Sequence, residues 1–179
     1  MNPAHLHIIL NHIPVIGIPF AAALLGYGLL KKSEEVKTAS LIAFVIIAAL
    51  TIPTFLAGKA AEDMVEHLPG VREQLIENHE NAALIGLIAT LVLGAISLGA
   101  LLLSQRSKGV AKPLIIGLLI SSIAVGGWLA KTANLGGKIR HTELRGDAPA
   151  ATDEDGEAEE EDKDEGGKGR GRHRRGRDN

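Results

Sequence analysis

Four apolar runs, residues 8–30, 38–58, 81–104 and 113–135, are each long enough to cross a bilayer as an α-helix. Nothing else in the chain constrains its fold as strongly. A hydrocarbon core offers no partner to backbone N–H and C=O groups, so only helices or closed barrels cross it. These runs show no period-two alternation, which leaves helices. A water-soluble bundle would need polar helix faces, yet Ala82–Ser104 offers only Thr90, Ser97 and Ser104. The expected fold is an all-α polytopic membrane protein, a four-transmembrane-helix bundle over residues 1–145.

The chain of 179 residues has no cysteine, which excludes disulfides, thiolate metal sites and thioether haem attachment. Any metal or haem iron would be held by His, Met or carboxylate. The first run resembles a secretion signal only in position: no Lys or Arg precedes residue 31, and Lys31 and Lys32 follow the run. It reads as a retained anchor.

Positive charge gives the expected orientation, because short loops rich in Lys and Arg stay cytoplasmic. One loop carries Lys31, Lys32 and Lys37, and another Arg106, Lys108 and Lys112. The longer middle loop holds only Lys59 and Arg72, although Lys131, Lys138, Arg140 and Arg145 flank the last run. Both termini are expected outside the cytoplasm of a bacterial inner membrane. Residues 146–179 form a second region, acidic over Asp153–Glu165 and Gly/Arg/Lys-rich over Gly166–Arg177. With no large apolar residue after Leu144, it is expected to be disordered and to bind no nucleic acid.

Breakers fall at informative places. Pro113 suits the first turn of the fourth helix. Pro14 and Pro19 lie inside the first and should free carbonyls near Leu10 and Val15, as Pro53 should near the end of the second. Gly86, Gly94, Gly99, Gly117, Gly126 and Gly127 allow close helix contact or room for a flat ligand. A weak repeat pairs Asn11-His12 with Asn78-His79, and Gly58-Lys59 with Gly137-Lys138. Two hairpins in one orientation would be related by an axis along the membrane normal.

Because successive spans alternate in direction, His5, His7, His12, Glu62, Asp63, His67, Glu77, His79, Glu80, Arg140, His141 and Glu143 fall on one membrane face. The opposite face has no histidine. His12 lies inside the first span, where an ionisable group faces a bundle interior or serves the interfacial zone. His5, His7 and His67 read as interfacial or loop residues. Glu77 and Glu80 suit a helix's first turn, which favours acids; His79 between them has no such reason and is expected neutral, the form that ligates metal or haem iron. Gly136-Gly137 is expected to end the fourth helix, with Lys138, Arg140 and His141 behind it.

The strings His7-Ile-Ile-Leu-Asn-His12-Ile-Pro-Val-Ile-Gly17, Gly58-Lys-Ala-Ala-Glu-Asp63, Glu77-Asn-His-Glu80 and Gly136-Gly-Lys-Ile-Arg-His-Thr-Glu143 resemble a family of small, uncharacterised four-span bacterial membrane proteins. The resemblance covers about residues 5–145 and implies the topology and the polar cluster, without a reaction. The arrangement is also generically similar to four-helix membrane b-type cytochromes.

Three functional readings stay open. In the first, His12 and His79 ligate a b-type haem for electron transfer, with Arg140 and His141 in the cofactor site and Arg140, Lys59 or Lys138 neutralising propionates. In the second, Glu62, Asp63, Glu77, His79, Glu80 and His141 supply a carboxylate–histidine site for iron or a divalent metal, although the Glu-x-x-His pattern of di-iron bundles is absent. In the third, the polar cap of a non-catalytic scaffold docks a membrane or periplasmic partner.

Overall fold

The computed structural model describes residues 2–66, 68, 70–104, 109–141, 144 and 145. The expected tail, with His67, Glu143 and the Gln105–Lys108 part of the third loop, lies outside the described residues. Four helices follow in order: α1 Pro3–Lys31, α2 Glu34–Val65, α3 Glu73–Ser104 and α4 Lys112–Arg140. Each is long and apolar enough to cross a membrane. Each helix packs on its chain neighbours and α4 closes on α1, so α1 and α3 are diagonal across the bundle.

All four helices extend beyond the apolar runs at the histidine end. Asn2 caps α1, its side-chain oxygen accepting from Ala4 N at 2.8 Å, and Pro3 fills the first turn, where no N–H is needed. His5 and His7 are therefore helical, not loop residues. α2 continues to Val65, and α3 begins at Glu73, which sets His79 in its second turn. α4 runs through Gly136 and Gly137 to Arg140, so the glycine pair does not end it. Pro113 does occupy the first turn of α4, and α1 is continuous through Pro14 and Pro19.

The interior is built from Ile18, Leu25, Leu41, Phe44, Leu93, Ile115 and Leu118, with small residues at the closest crossings. Gly94 packs against Ala48 so tightly that any Cβ there would overlap the Ala48 methyl. Several buried hydroxyls turn to backbone, Ser40 Oγ donating to Ala21 O and Ser97 Oγ to Leu93 O, both at 2.8 Å, whereas the buried Thr90 hydroxyl has no partner among the described residues. The outer surface is the less usual part. Phe20, Leu30, Leu103, Ile120 and Ile123 are each 60% or more exposed, an apolar exterior that fits lipid rather than water and suggests a multi-pass membrane protein.

Candidate functional site

His7 and His79 meet at one end of the bundle. They come from the diagonal helices α1 and α3, both are half-buried, and their ring centroids lie 6.3 Å apart with planes crossing at 78°. Each ring is held by the neighbouring helix. His7 Nδ1 lies 3.0 Å from Thr54 O on α2, and His79 Nδ1 lies 3.0 Å from Thr132 O on α4. A carbonyl only accepts, so in each ring Nδ1 carries the proton and donates. In the neutral imidazole that leaves Nε2 as the unprotonated nitrogen, able to bind a metal or accept a proton.

The two threonines repeat the same pattern with their hydroxyls. Thr54 Oγ1 donates to Leu50 O at 2.8 Å and reaches Leu10 O at 3.4 Å. Thr132 Oγ1 donates to Trp128 O at 3.0 Å and reaches Ala82 O at 3.4 Å. One turn beyond each threonine stands a glycine, Gly58 or Gly136, against whose backbone the imidazole rests. His7, Leu10, Thr54 and Gly58 thus correspond one for one to His79, Ala82, Thr132 and Gly136. The internal repeat is real at this level, but its register differs from the one the dipeptides suggest. His7, not His12, is the mate of His79, and Gly58 pairs with Gly136, not Gly137.

His12 is exposed, its Nδ1 turned back to Ile8 O of its own helix at 2.8 Å, so it does not face His79. Depth in the apolar run made His12 look interior, but His7 and His12 lie about 140° apart around α1, so the face that half-buries His7 turns His12 outward. Arg140 and His141 are exposed at the end of α4, and His141 N–H closes that helix on Gly137 O at 3.0 Å.

The carboxylates gather elsewhere. Glu62, Glu77 and Glu80 line a small hollow with Glu66, Glu73 and Ile76, while Asp63 is exposed outside it. Lys59 Nζ bridges this rim, 2.5 Å from Glu80 and 3.4 Å from Glu62. His79 turns away from it toward Thr132 and His7. Among the described residues no three His, Asp or Glu side chains converge as a metal ion would require, so the six-residue carboxylate–histidine set is not assembled. Arg145, buried beyond α4, donates to Lys138 O, Ile139 O and Gly70 O at 2.6–2.8 Å and ties the α2–α3 loop to the end of α4.

An apolar groove of about 370 Å³ opens between α1 and α4, lined by Pro19, Ala22, Gly26, Leu119, Ser122 and Gly126. It begins about 20 Å further along α1 than His7, at a rise of about 1.5 Å per residue, and so is separate from the histidine pair. No family model, curated protein or solved structure matches the chain.

Proposed function

We propose that His7 and His79 would together hold a b-type haem at one end of a four-span membrane bundle, and that the protein carries electrons there. One observation carries the reading: two imidazoles from diagonal helices, each with its tautomer fixed by a carbonyl, lie with their ring centroids 6.3 Å apart, and no third His, Asp or Glu joins them among the described residues. A site with only two protein donors fits a metal whose other ligands come from a macrocycle.

When bound, haem would supply one-electron redox chemistry at its iron. The chain's own contributions are separable from it. Thr54 O and Thr132 O orient the rings and raise their basicity, as outer hydrogen bonds do for histidine ligands generally. Lys138 and Arg140, in the last turn of α4, would neutralise propionates at the polar end. Lys59 is engaged by Glu80 and Glu62, and Arg145 by three carbonyls, so neither takes that role.

The setting we propose is a bacterial inner membrane with both termini, and hence the histidine pair, outside the cytoplasm. Lys31, Lys32 and Lys37 at the opposite end support this orientation. Reporter fusions after Lys32 should read cytoplasmic, and fusions after Arg72 and Leu144 extracytoplasmic; the reverse pattern would invert the topology.

Haem titrated into the detergent-purified full chain should saturate at one per protein with a six-coordinate, low-spin spectrum. A helical, monodisperse protein that stays colourless would overturn the haem reading. It would favour the non-catalytic alternative, in which the acidic rim of Glu62, Glu66, Glu73 and Glu77 docks a periplasmic partner.

A further inference from the structure

Glycine is the residue type with no side chain to spend on packing, yet Gly58 and Gly136 each stand opposite an imidazole. A Cβ added at Gly58 would lie 2.9 Å from His7 Cε1 and 3.0 Å from its Nδ1. One added at Gly136 would lie 2.9 Å from His79 Cε1 and 3.2 Å from its Nδ1. In both places the three nearest atoms all belong to the imidazole. Gly99, Gly117 and Gly127, in the same helices as His79 and Gly136, face open space instead. The bare backbone at Gly58 and Gly136 is therefore occupied by a ring edge, and it is the same edge in both halves of the repeat.

We propose that Gly58 and Gly136 are positioning residues that seat the His7 and His79 rings and hold their planes crossed. Resting on the bis-imidazole reading, this deepens it by assigning the property that the crossing would control. Each ring is pinned on one side by its Nδ1–H bond and on the adjoining side by the glycine backbone, so it has no free rotation about its long axis. A methyl group at either glycine meets the ring and not the opposing backbone, and the ring is the part able to move. The helices then keep their packing while the ring tilts about its hydrogen bond and the 78° crossing changes. Axial ring orientation is one of the levers by which a protein tunes a haem iron. Crossed imidazole planes leave two iron d orbitals of ferric low-spin haem nearly equal in energy, which gives a strongly anisotropic paramagnetic signal. Aligned planes separate those orbitals and give an ordinary rhombic one.

The test uses the full chain in detergent, as wild type and as the Gly58→Ala, Gly136→Ala and Gly117→Ala variants, the last as a glycine with open space. Nitrogen-15 histidine NMR on the haem-free protein reads the seats without any cofactor. The wild type should show His7 and His79 protonated at Nδ1. Gly58→Ala should disturb only the His7 signals, Gly136→Ala only those of His79, and Gly117→Ala neither. Low-temperature paramagnetic resonance of the ferric haem-loaded protein then reads the crossing: a single large-g feature in the wild type and Gly117→Ala, moved toward a rhombic pattern in the two seat variants. Helical circular dichroism and a monodisperse profile confirm that each variant is folded, and either seat variant suffices if the other is not. Unchanged histidine signals in both folded seat variants would overturn the proposal, as would a rhombic wild-type signal. A wild type that takes up no haem would fail the bis-imidazole reading while the NMR result still decided whether the glycines seat the rings.

Discussion

Thr54 shows how one side chain can serve two separate needs of this bundle. Its carbonyl accepts the His7 proton, and its hydroxyl lies against Leu50 O and Leu10 O. Leu10 O needs a donor because residue 14 is proline and has no N–H to return to it. Thr54→Val removes the hydroxyl but leaves the carbonyl and hence the histidine. Hydrogen bonds between helices in membrane proteins average about 0.6 kcal/mol and reach about 1.7, so a loss within that range is expected. Reversible unfolding in mixed micelles would measure it. In a Pro14→Ala background the residue 14 N–H again reaches Leu10 O, and the cost of Thr54→Val should shrink. An equal cost in both backgrounds would show that the hydroxyl does not serve the freed carbonyl.

At the scale of helices, the two halves of the repeat close differently. On the α2–α3 side Gly94 and Ala48 touch, whereas the corresponding α1 and α4 positions, Ala22 and Gly126, line an open groove. Gly94→Ala should therefore cost about 1–3 kcal/mol through overpacking, while Gly99→Ala, facing open space, should be neutral or stabilising by up to about 1 kcal/mol. Restoring room with Ala48→Gly should recover much of the Gly94→Ala loss in the same unfolding measurement. The helices themselves were legible in the sequence, because an apolar run long enough to cross a bilayer has few other uses. Their ends were not. Apolar length reports the thickness of hydrocarbon, but hydrogen bonding and packing carry a helix on through polar residues such as Lys59 and Glu62. The Asn2-Pro3 pair is a recognisable helix start, a local signal that could have placed His7 inside α1.

Seen as a whole molecule, the bundle is two similar hairpins tied at their polar end. Arg145 makes part of that tie, joining the α2–α3 loop at Gly70 to the end of α4. Hydrogen bonds from a charged donor contribute about 1.5–3 kcal/mol, so Arg145→Ala should lower stability by that order, whereas truncation after Gly146 should leave it nearly unchanged. Thermal unfolding of the two variants side by side would separate them. His79 could be picked from sequence because an imidazole between Glu77 and Glu80 had no capping role there, although α3 begins at Glu73 and none of the three lies in its first turn. His7 could not, since the groups that give it meaning, Thr54 O, Gly58 and His79, lie far along the chain and meet only in the fold.

The histidines decide the matter when each is replaced in turn and haem retention is read from the absorption spectrum of the purified protein. His7→Ala and His79→Ala should each abolish the six-coordinate low-spin spectrum. His5→Ala, His12→Ala and His141→Ala should preserve it. Loss of the spectrum in His12→Ala with retention in His7→Ala would contradict the pairing of His7 with His79.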